Sequence, residues 1–177
     1  IIGITGTNGK TTTKELLSAV LSRKFKVCAT KGNLNNHIGV PLTLLSIASD
    51  DEIAIVEMGA NHCGEIAQLC TFAKPNYGII TNIGKAHIEG FVSVENIIET
   101  KFALYQSVNN VDGTLFVNAD DALLMKLSSN SIRLTYGVNG DVVGKCNTKQ
   151  MYMTFRLPEF NKSVSTQLTG SYNFNNA

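Results

Sequence analysis

The chain has 177 residues, of which 44% are hydrophobic and 16% charged, and its formal net charge is +1. A chain of this length buries enough surface for one complete core, so a single domain is expected and a mini-fold stapled by disulfides is excluded. The near-neutral charge excludes the broad basic surface with which proteins bind nucleic acid or acidic membranes.

Short apolar, β-branched runs alternate with helical patterns, which is typical of βαβ units and a mostly parallel sheet. The predicted strands cover residues 1–5, 25–30, 52–57, 77–83, 114–118 and 132–136. The predicted helices cover residues 11–23, 41–48, 65–73 and 94–109. After about residue 140, alternating segments over 151–157 and 163–168 predict an antiparallel hairpin that extends the sheet.

A glycine-rich segment over residues 3–12 follows the first strand and opens the first helix, as a phosphate-binding loop requires. Glycines let backbone N–H groups turn inward around an anion, and the helix N-terminus adds partial positive charge. Lys10 would reach terminal phosphates, and Thr11 would offer its hydroxyl to a magnesium ion. The spacing is a variant of the common one, because Gly6 lies three residues before Gly9. The alternative is a glycine-rich turn without a ligand.

The fold class is therefore predicted to be α/β, with a P-loop-type, mostly parallel sheet flanked by helices and an antiparallel C-terminal extension. No apolar run approaches the ~20 residues that span a bilayer, and the first residues lack the charged lead of a signal peptide, so we expect a soluble, cytoplasmic protein. The cysteines form no C-x-x-C pair, which favours free thiols; they are Cys28, Cys63, Cys70 and Cys146.

Two polar residues are expected where ligands bind in open parallel sheets, beyond the carboxyl ends of the strands. Glu57 is the first charged residue after the apolar run 53–56, which suits a magnesium carboxylate beside a triphosphate. His87 emerges at the same edge, beyond the strand over 77–83. The alternatives are a solvated strand end for Glu57 and no ligand role for His87.

Lys101 falls within the apolar stripe of the helix over 94–109, near Ile97 and Ile98. Either its stem is buried while the ammonium reaches solvent, or burial favours a neutral amine that is available for chemistry. Polar loop residues near the same edge could contact a substrate or form Asx turns; they are Asn33, Asn35, Asn36, Asn61 and His62. The segment 118–121 could contact a nucleotide or cap a helix.

Several segments resemble the Mur ligases of bacterial cell-wall synthesis. Residues 5–12 resemble the ATP loop of that family, including its unusual spacing. Residues 32–43 and 57–62 resemble the branch that adds D-alanyl-D-alanine to UDP-N-acetylmuramoyl-tripeptide, and residues 81–91 and 170–177 are further matches. The resemblance spans almost the whole chain.

The resemblance implies an ATP-dependent amide-bond ligase with two magnesium sites and those two peptide substrates. A substrate carboxylate would attack the γ-phosphate of ATP, and the amine of D-alanyl-D-alanine would displace phosphate from the resulting acyl phosphate. Asn173 and Asn176 would lie near the adenine, although Tyr172 stands where the family usually has His. The ATP phosphates would be held by Lys10 and the loop residues Gly6, Thr7, Asn8, Gly9, Thr11 and Thr12.

The metal and peptide roles are implied in the same way. Thr11 and Glu57 would share one magnesium ion, and His87 would help to bind the second. Lys101, fourteen residues after His87, would react with CO₂ to give a carbamate, an anionic oxygen ligand. The peptide substrate would contact Asn33, Asn35, Asn36, Asn61 and His62.

Family members also carry an N-terminal domain for the uridine nucleotide and a C-terminal domain that closes over ATP. Residues 1–177 are therefore expected to be the central ATP-binding domain of a longer protein, with weak or no ligation on their own. Two alternatives stay open. One is another ligase of the superfamily, such as folylpolyglutamate synthase or a cyanophycin-type synthetase, against which the segment 32–43 argues. The other is a nucleotide-binding module without catalysis.

Overall fold

The computed structural model describes residues 1–84, 88–147 and 151–177. Its strands are β1 (Ile2–Thr5), β2 (Val27–Ala29), β3 (Ile53–Glu57), β4 (Tyr77–Ile80), β5 (Thr114–Asn118), β6 (Arg133–Gly137), β7 (Val142–Val143), β8 (Lys145–Asn147), β9 (Tyr152–Leu157) and β10 (Lys162–Thr169). Its α-helices are α1 (Lys10–Leu21), α2 (Gly39–Leu45), α3 (Glu65–Ala73), α4 (Ile88–Phe91), α5 (Val94–Asn109) and α6 (Ala122–Leu127), and a 3₁₀ helix covers Ser171–Asn176.

Seven parallel strands form the main sheet, in the order β2-β3-β1-β4-β5-β6-β7. Its central strands are apolar because helices cover both faces. On one face, Ile4 and Ile55 pack against Leu17 of α1. On the other, Val56 belongs to a cluster that includes Leu104 of α5. The predicted α/β fold with flanking helices is confirmed, and β1, β3 and β4 meet at the centre of the sheet.

The predicted C-terminal hairpin is confirmed, since β9 and β10 pair antiparallel around residues 158–161. The expectation that this hairpin extends the main sheet is wrong. It joins β8 in a separate three-stranded sheet, while the short strand β7 occupies the edge next to β6. The hairpin buries one face only, on which Phe155 meets Phe174 edge-to-face, with ring centroids 5.9 Å apart.

Two differences between the observed and the predicted elements bear on the site. Strand β4 ends at Ile80 rather than at residue 83, because residues 81–84 turn to bond the glycine-rich loop. Helix α6 is absent from the predicted helices, but the capping role considered for residues 118–121 is confirmed, since Asp121 accepts hydrogen bonds from the N–H groups of Leu123 and Leu124 at 3.0 and 3.1 Å. All four cysteines are free thiols. Within the described ranges, none of the helices has the length and apolar composition that a bilayer crossing requires.

Candidate active site

The glycine-rich loop between β1 and α1 depends on two glycines with positive φ. Gly6 has φ 147°, and a Cβ there would collide with the Thr81 hydroxyl. Gly9 has φ 81°, and a Cβ there would collide with the Asn176 side chain. Because α1 begins at Lys10, the loop presents the unbonded N–H groups of a helix N-terminus, as predicted for a phosphate site.

The segment after β4 anchors this loop. The Thr7 N–H donates to the Asn82 carbonyl at 3.0 Å. The Asn82 side chain both accepts from the Asn8 N–H at 3.1 Å and donates to the Asn8 carbonyl at 2.9 Å. The Thr81 hydroxyl also donates to the Asn8 carbonyl, at 2.6 Å. Neither Thr81 nor Asn82 is among the predicted site residues, although both are polar residues directly after an apolar strand.

The Lys10 ammonium folds back over the loop, donating to the carbonyls of Gly6 at 2.9 Å and Thr7 at 3.2 Å. Burial lowers the pKa of Lys10 below its ordinary value, and the negative charge of Glu57 partly opposes this effect. The cation therefore lies at the mouth of the loop, where a terminal phosphate would replace the two carbonyls as its partner.

Glu57 ends β3 and is only 1% exposed, which excludes the solvated strand end. Its Oε1 accepts hydrogen bonds from the Thr11 hydroxyl at 3.1 Å and from the Asn35 side-chain amide at 2.8 Å. Its Oε2 is buried and accepts no hydrogen bond from the residues that the structure describes. Thr11 and Glu57, which are expected to share one magnesium ion, are thus in direct contact, and the carboxylate keeps acceptor capacity.

Lys14, which is not among the predicted site residues, is fully buried beside Glu57. Its ammonium donates to the carbonyls of Thr30 at 2.6 Å and Gly32 at 3.0 Å, and lies 2.9 Å from Glu15 Oε1. It also lies 3.9 Å from Glu57 Oε2. The available signal was its spacing, because residues three and four apart on α1 share a face with Thr11 and Lys10.

A first cavity of about 500 Å³ opens beside the loop, and Lys101 lies in its wall together with Lys10. Lys101 is 5% exposed and makes no hydrogen bond or ion pair with the described residues. Burial, reinforced by the positive charge of Lys10, lowers the pKa of Lys101 to about 8. This environment disfavours the charged ammonium, as the neutral-amine interpretation requires.

The predicted peptide contacts also line the first cavity, which brings together Asn33, Asn35, Asn36, Asn61 and His62. Some of these residues also make local hydrogen bonds within their loops, as the Asx-turn alternative predicts. The Asn36 side chain accepts from the Gly39 N–H at 2.9 Å, at the start of α2. The Asn61 N–H donates to the Glu65 carboxylate at 2.6 Å, and His62 Nδ1 lies 3.3 Å from the same group.

A second cavity of about 880 Å³ lies beside Asn8 and Gly9. Asn173 and Asn176, the predicted adenine residues, line it, and the Asn176 amide donates to Asn173 Oδ1 at 3.1 Å. Thr12 also lines this cavity. So do Asn118, Asp120 and Asp121, which belong to the segment expected either to contact a nucleotide or to cap a helix. His87, the predicted ligand of a second metal ion, lies outside the described residues, and so does the side chain of Tyr172.

Comparison with known proteins identifies the relatives. Residues 4–177 match the model of the Mur ligase middle domain. The UDP-N-acetylmuramoyl-tripeptide–D-alanyl-D-alanine ligase of Bacillus subtilis is 44% identical over 137 residues, which cover 77% of this chain and 30% of that protein. The enzyme of the same name from Haemophilus influenzae is 33% identical over 186 residues, covering 99% and 40%.

Solved structures of MurF enzymes also match this chain. A crystal structure of MurF from Acinetobacter baumannii has a TM-score of 0.89 and 32% identity, and covers 99% of this chain and 40% of that chain. The MurF ligase of Thermotoga maritima in complex with ADP has a TM-score of 0.84 and 32% identity, covering 99% and 42%. This chain thus spans 30 to 40% of the length of these curated relatives. With the family model matched from residue 4 to residue 177, the chain belongs to the Mur ligase middle domain family.

Proposed function

We propose that this chain is the ATP-binding part of a ligase that joins D-alanyl-D-alanine to UDP-N-acetylmuramoyl-tripeptide in peptidoglycan synthesis. The observation that carries the proposal is the convergence of Lys10, the Thr11–Glu57 pair and Lys101 beside one phosphate-type loop. The relatives described above bear the name of that ligase. On this proposal residues 1–177 are the central domain, and the parent protein supplies the uridine-nucleotide domain and the domain that closes over ATP. A cytoplasmic location stays a prediction.

The two cavities are proposed to bind different substrates, the nucleotide in one and the peptides in the other. ATP phosphates would lie against the N–H groups of Gly9 to Thr12 and against the Lys10 ammonium, with the adenine in the second cavity beside Asn173 and Asn176. The N–H groups of Thr7 and Asn8, which were expected to hold phosphate too, donate instead to Asn82. The ADP complex of the Thermotoga relative supports nucleotide binding by this fold. The first cavity, lined by amide side chains, would then receive the reacting ends of the two peptides.

The residues of this edge fit a magnesium ion. Mg²⁺ takes oxygen ligands and is commonly held by one or two carboxylates together with substrate phosphates. Glu57 offers a buried carboxylate with unused acceptor capacity, in contact with the Thr11 hydroxyl. In the described part of the chain no three His, Cys, Asp or Glu side chains are grouped to hold a metal, so phosphate oxygens would complete the coordination. When bound, the ion offsets phosphate charge. His87 would serve the second ion.

Lys101 has the properties that carbamate formation demands. Only a neutral amine attacks CO₂, and the burial of Lys101 favours that form. The product would place an anionic oxygen in the cavity wall, replacing a cation beside Lys10 with a group that attracts both Lys10 and a metal ion. This change explains why a lysine occupies the buried face of α5.

The chemical difficulty of the reaction is that a carboxylate must approach a triphosphate although both are negative. Lys10 and the loop N–H groups offset this repulsion, and they stabilise the charge that moves to the leaving oxygen. Attack on the γ-phosphate gives an acyl phosphate and ADP. The amine of D-alanyl-D-alanine then attacks the acyl carbon, phosphate leaves, and an amide bond forms. The asparagines of the first cavity would hold the two ends in line.

The test is Lys10→Ala in the full-length parent protein. It is expected to lower ATP-dependent ligation by at least about 100-fold, since the variant loses the cation aimed at the transferred phosphate. Lys26→Ala is the matched control, because Lys26 is an exposed lysine that pairs with Asp50. Equal turnover in the two variants would contradict the assignment of the loop.

A further inference from the structure

Asn35 is distinctive within its loop. Residues 31–38 are all exposed except Asn35, which is half-buried. Its backbone carbonyl accepts from the Gly59 N–H at 2.7 Å, which ties the loop to the chain just beyond β3. Its side-chain amide donates to Glu57 Oε1 at 2.8 Å. Asn35 therefore directs its donor at the carboxylate of Glu57 rather than into the open cavity.

Lys14 lies on the other oxygen of the same carboxylate. Its ammonium is fully buried, already has three oxygen partners, and lies 3.9 Å from Glu57 Oε2. It therefore acts on Glu57 through its charge. A buried carboxylate is costly without a nearby cation. Lys10 also interacts electrostatically with Glu57. Because Lys10 is proposed to bind phosphate, Lys14 is the cation that stays beside the Glu57 carboxylate when ATP is bound.

We propose that Asn35 and Lys14 are positioning residues that fix the carboxylate of Glu57 before a metal ion arrives. Asn35 holds Oε1 by a hydrogen bond, and Lys14 holds Oε2 by its charge, so rotation of the carboxylate is opposed at both oxygens. Partners of this kind orient metal ligands, and their loss commonly weakens metal binding 10- to 100-fold. The inference rests on the proposed function, which makes Glu57 the magnesium carboxylate, and it gives Asn35 a role besides the predicted contact with the substrate.

The experiment measures ADP binding to the full-length parent protein by calorimetry, once in Mg²⁺ and once in EDTA. The quantity of interest is the Mg²⁺ enhancement, the ratio of the two Kd values. Asn35→Ala is expected to lower this enhancement about tenfold while leaving ADP binding in EDTA within about twofold of wild type. Leu34→Ala, an adjacent exposed side chain of the same loop, is expected to keep the full enhancement.

Lys14→Met, which keeps the length of the side chain and removes its charge, is expected to lower the enhancement as well. This variant also removes the Lys14 donor from the carbonyls of Thr30 and Gly32, so its thermal unfolding is measured alongside. If Lys14→Met does not fold, the result for Asn35→Ala alone tests the inference. A purely structural role for Asn35 would weaken ADP binding equally in Mg²⁺ and in EDTA and leave the Mg²⁺ enhancement unchanged, and this pattern overturns the inference.

Glu57→Gln separates the inference from the proposed function. If Glu57→Gln keeps the wild-type Mg²⁺ enhancement, Glu57 does not bind the metal and the metal role in the proposed function fails. If Glu57→Gln loses the enhancement while Asn35→Ala keeps it, the metal role stands and the positioning role of Asn35 is overturned. Loss in both, with Leu34→Ala unaffected, supports the inference.

Discussion

Two lysines of the first cavity, Lys10 and Lys101, have different surroundings, and this difference underlies the different roles that we propose for them. Lys10 has carbonyl partners and the nearby charge of Glu57, so it is suited to remain a cation that binds phosphate. Lys101 has no such partner among the described residues and lies near the positive charge of Lys10. Its amine is therefore the one suited to covalent modification.

The lowered pKa of Lys101 predicts a specific pH dependence of stability. In the folded chain the pKa is about 8, below the ordinary 10.5, so the unfolded state holds more protons between these values. The loss of folding stability caused by the buried ammonium is complete below pH 8 and disappears as the pH rises to 10.5. The stability advantage of Lys101→Met over wild type should thus shrink across this window, by up to about 3 kcal/mol.

Urea unfolding of both chains in CO₂-free buffer at pH 7, 8, 9 and 10 measures this difference. The comparison cancels groups common to both chains, such as Cys70, whose pKa burial raises to about 11. A difference that stays constant over the whole range would contradict the assignment of a buried, partner-free amine.

The carbamate predicts chemical rescue. In the full-length parent protein, Lys101→Ala should lose ligation by at least about 100-fold, and a short carboxylate such as acetate should restore part of it by supplying the missing anionic oxygen. Lys10→Ala is the control that acetate should not rescue, since its defect is a missing cation. An intact-mass spectrum of native protein in bicarbonate that shows only the bare amine would count against the modification.

At the scale of elements, the site forms where the glycine-rich loop, the end of β3 and residues 81–84 meet. Parallel pairing of β1 with β3 and β4 brings these carboxyl ends together. Residues 81–84 leave the sheet in order to bond Thr7 and Asn8. The loop geometry is therefore shared between segments more than 70 residues apart in sequence.

Gly9 and Gly64 make a matched pair that isolates the part of this geometry that serves binding. Both precede a helix with nearly the same φ, 81° and 80°, but a Cβ at Gly9 would collide with Asn176, whereas a Cβ at Gly64 meets no atom within 4 Å. Alanine at either position should cost about 1–2 kcal/mol of stability because of the left-handed backbone. Only Gly9→Ala should also weaken ADP binding, by about tenfold or more, as measured by calorimetry. Equal binding losses in the two variants would contradict the role of the loop.

Sequence patterns predicted the main sheet well, because strands buried on both faces appear as uninterrupted apolar runs such as residues 53–56. They did not predict β7, whose two residues are too short for any periodicity. They also missed Lys14, since a lysine in the polar run Thr11–Glu15 reads as exposed, and its partners come from the end of β2. Contacts between segments that are distant in sequence cannot be predicted from local sequence patterns.

At the scale of the whole molecule, the chain has a complete core and both cavities, yet it spans 30 to 40% of the length of the curated relatives described above. We therefore expect residues 1–177 alone to bind ADP, with no stimulation of phosphate release by D-alanyl-D-alanine. Calorimetry and a phosphate-release assay check the two halves of this prediction. Stimulated release by the 177-residue chain would show that no further domain is needed.

The identity of the acceptor is tested by phosphate release from the full-length parent protein with ATP, Mg²⁺ and UDP-N-acetylmuramoyl-tripeptide. We predict that D-alanyl-D-alanine stimulates release and yields the UDP-linked pentapeptide in the mass spectrum, whereas glutamate does neither. Stimulation by glutamate instead would favour a ligase of the folylpolyglutamate type. Slow ATP hydrolysis that no acceptor changes would favour a non-catalytic nucleotide-binding module, and either result would contradict the account.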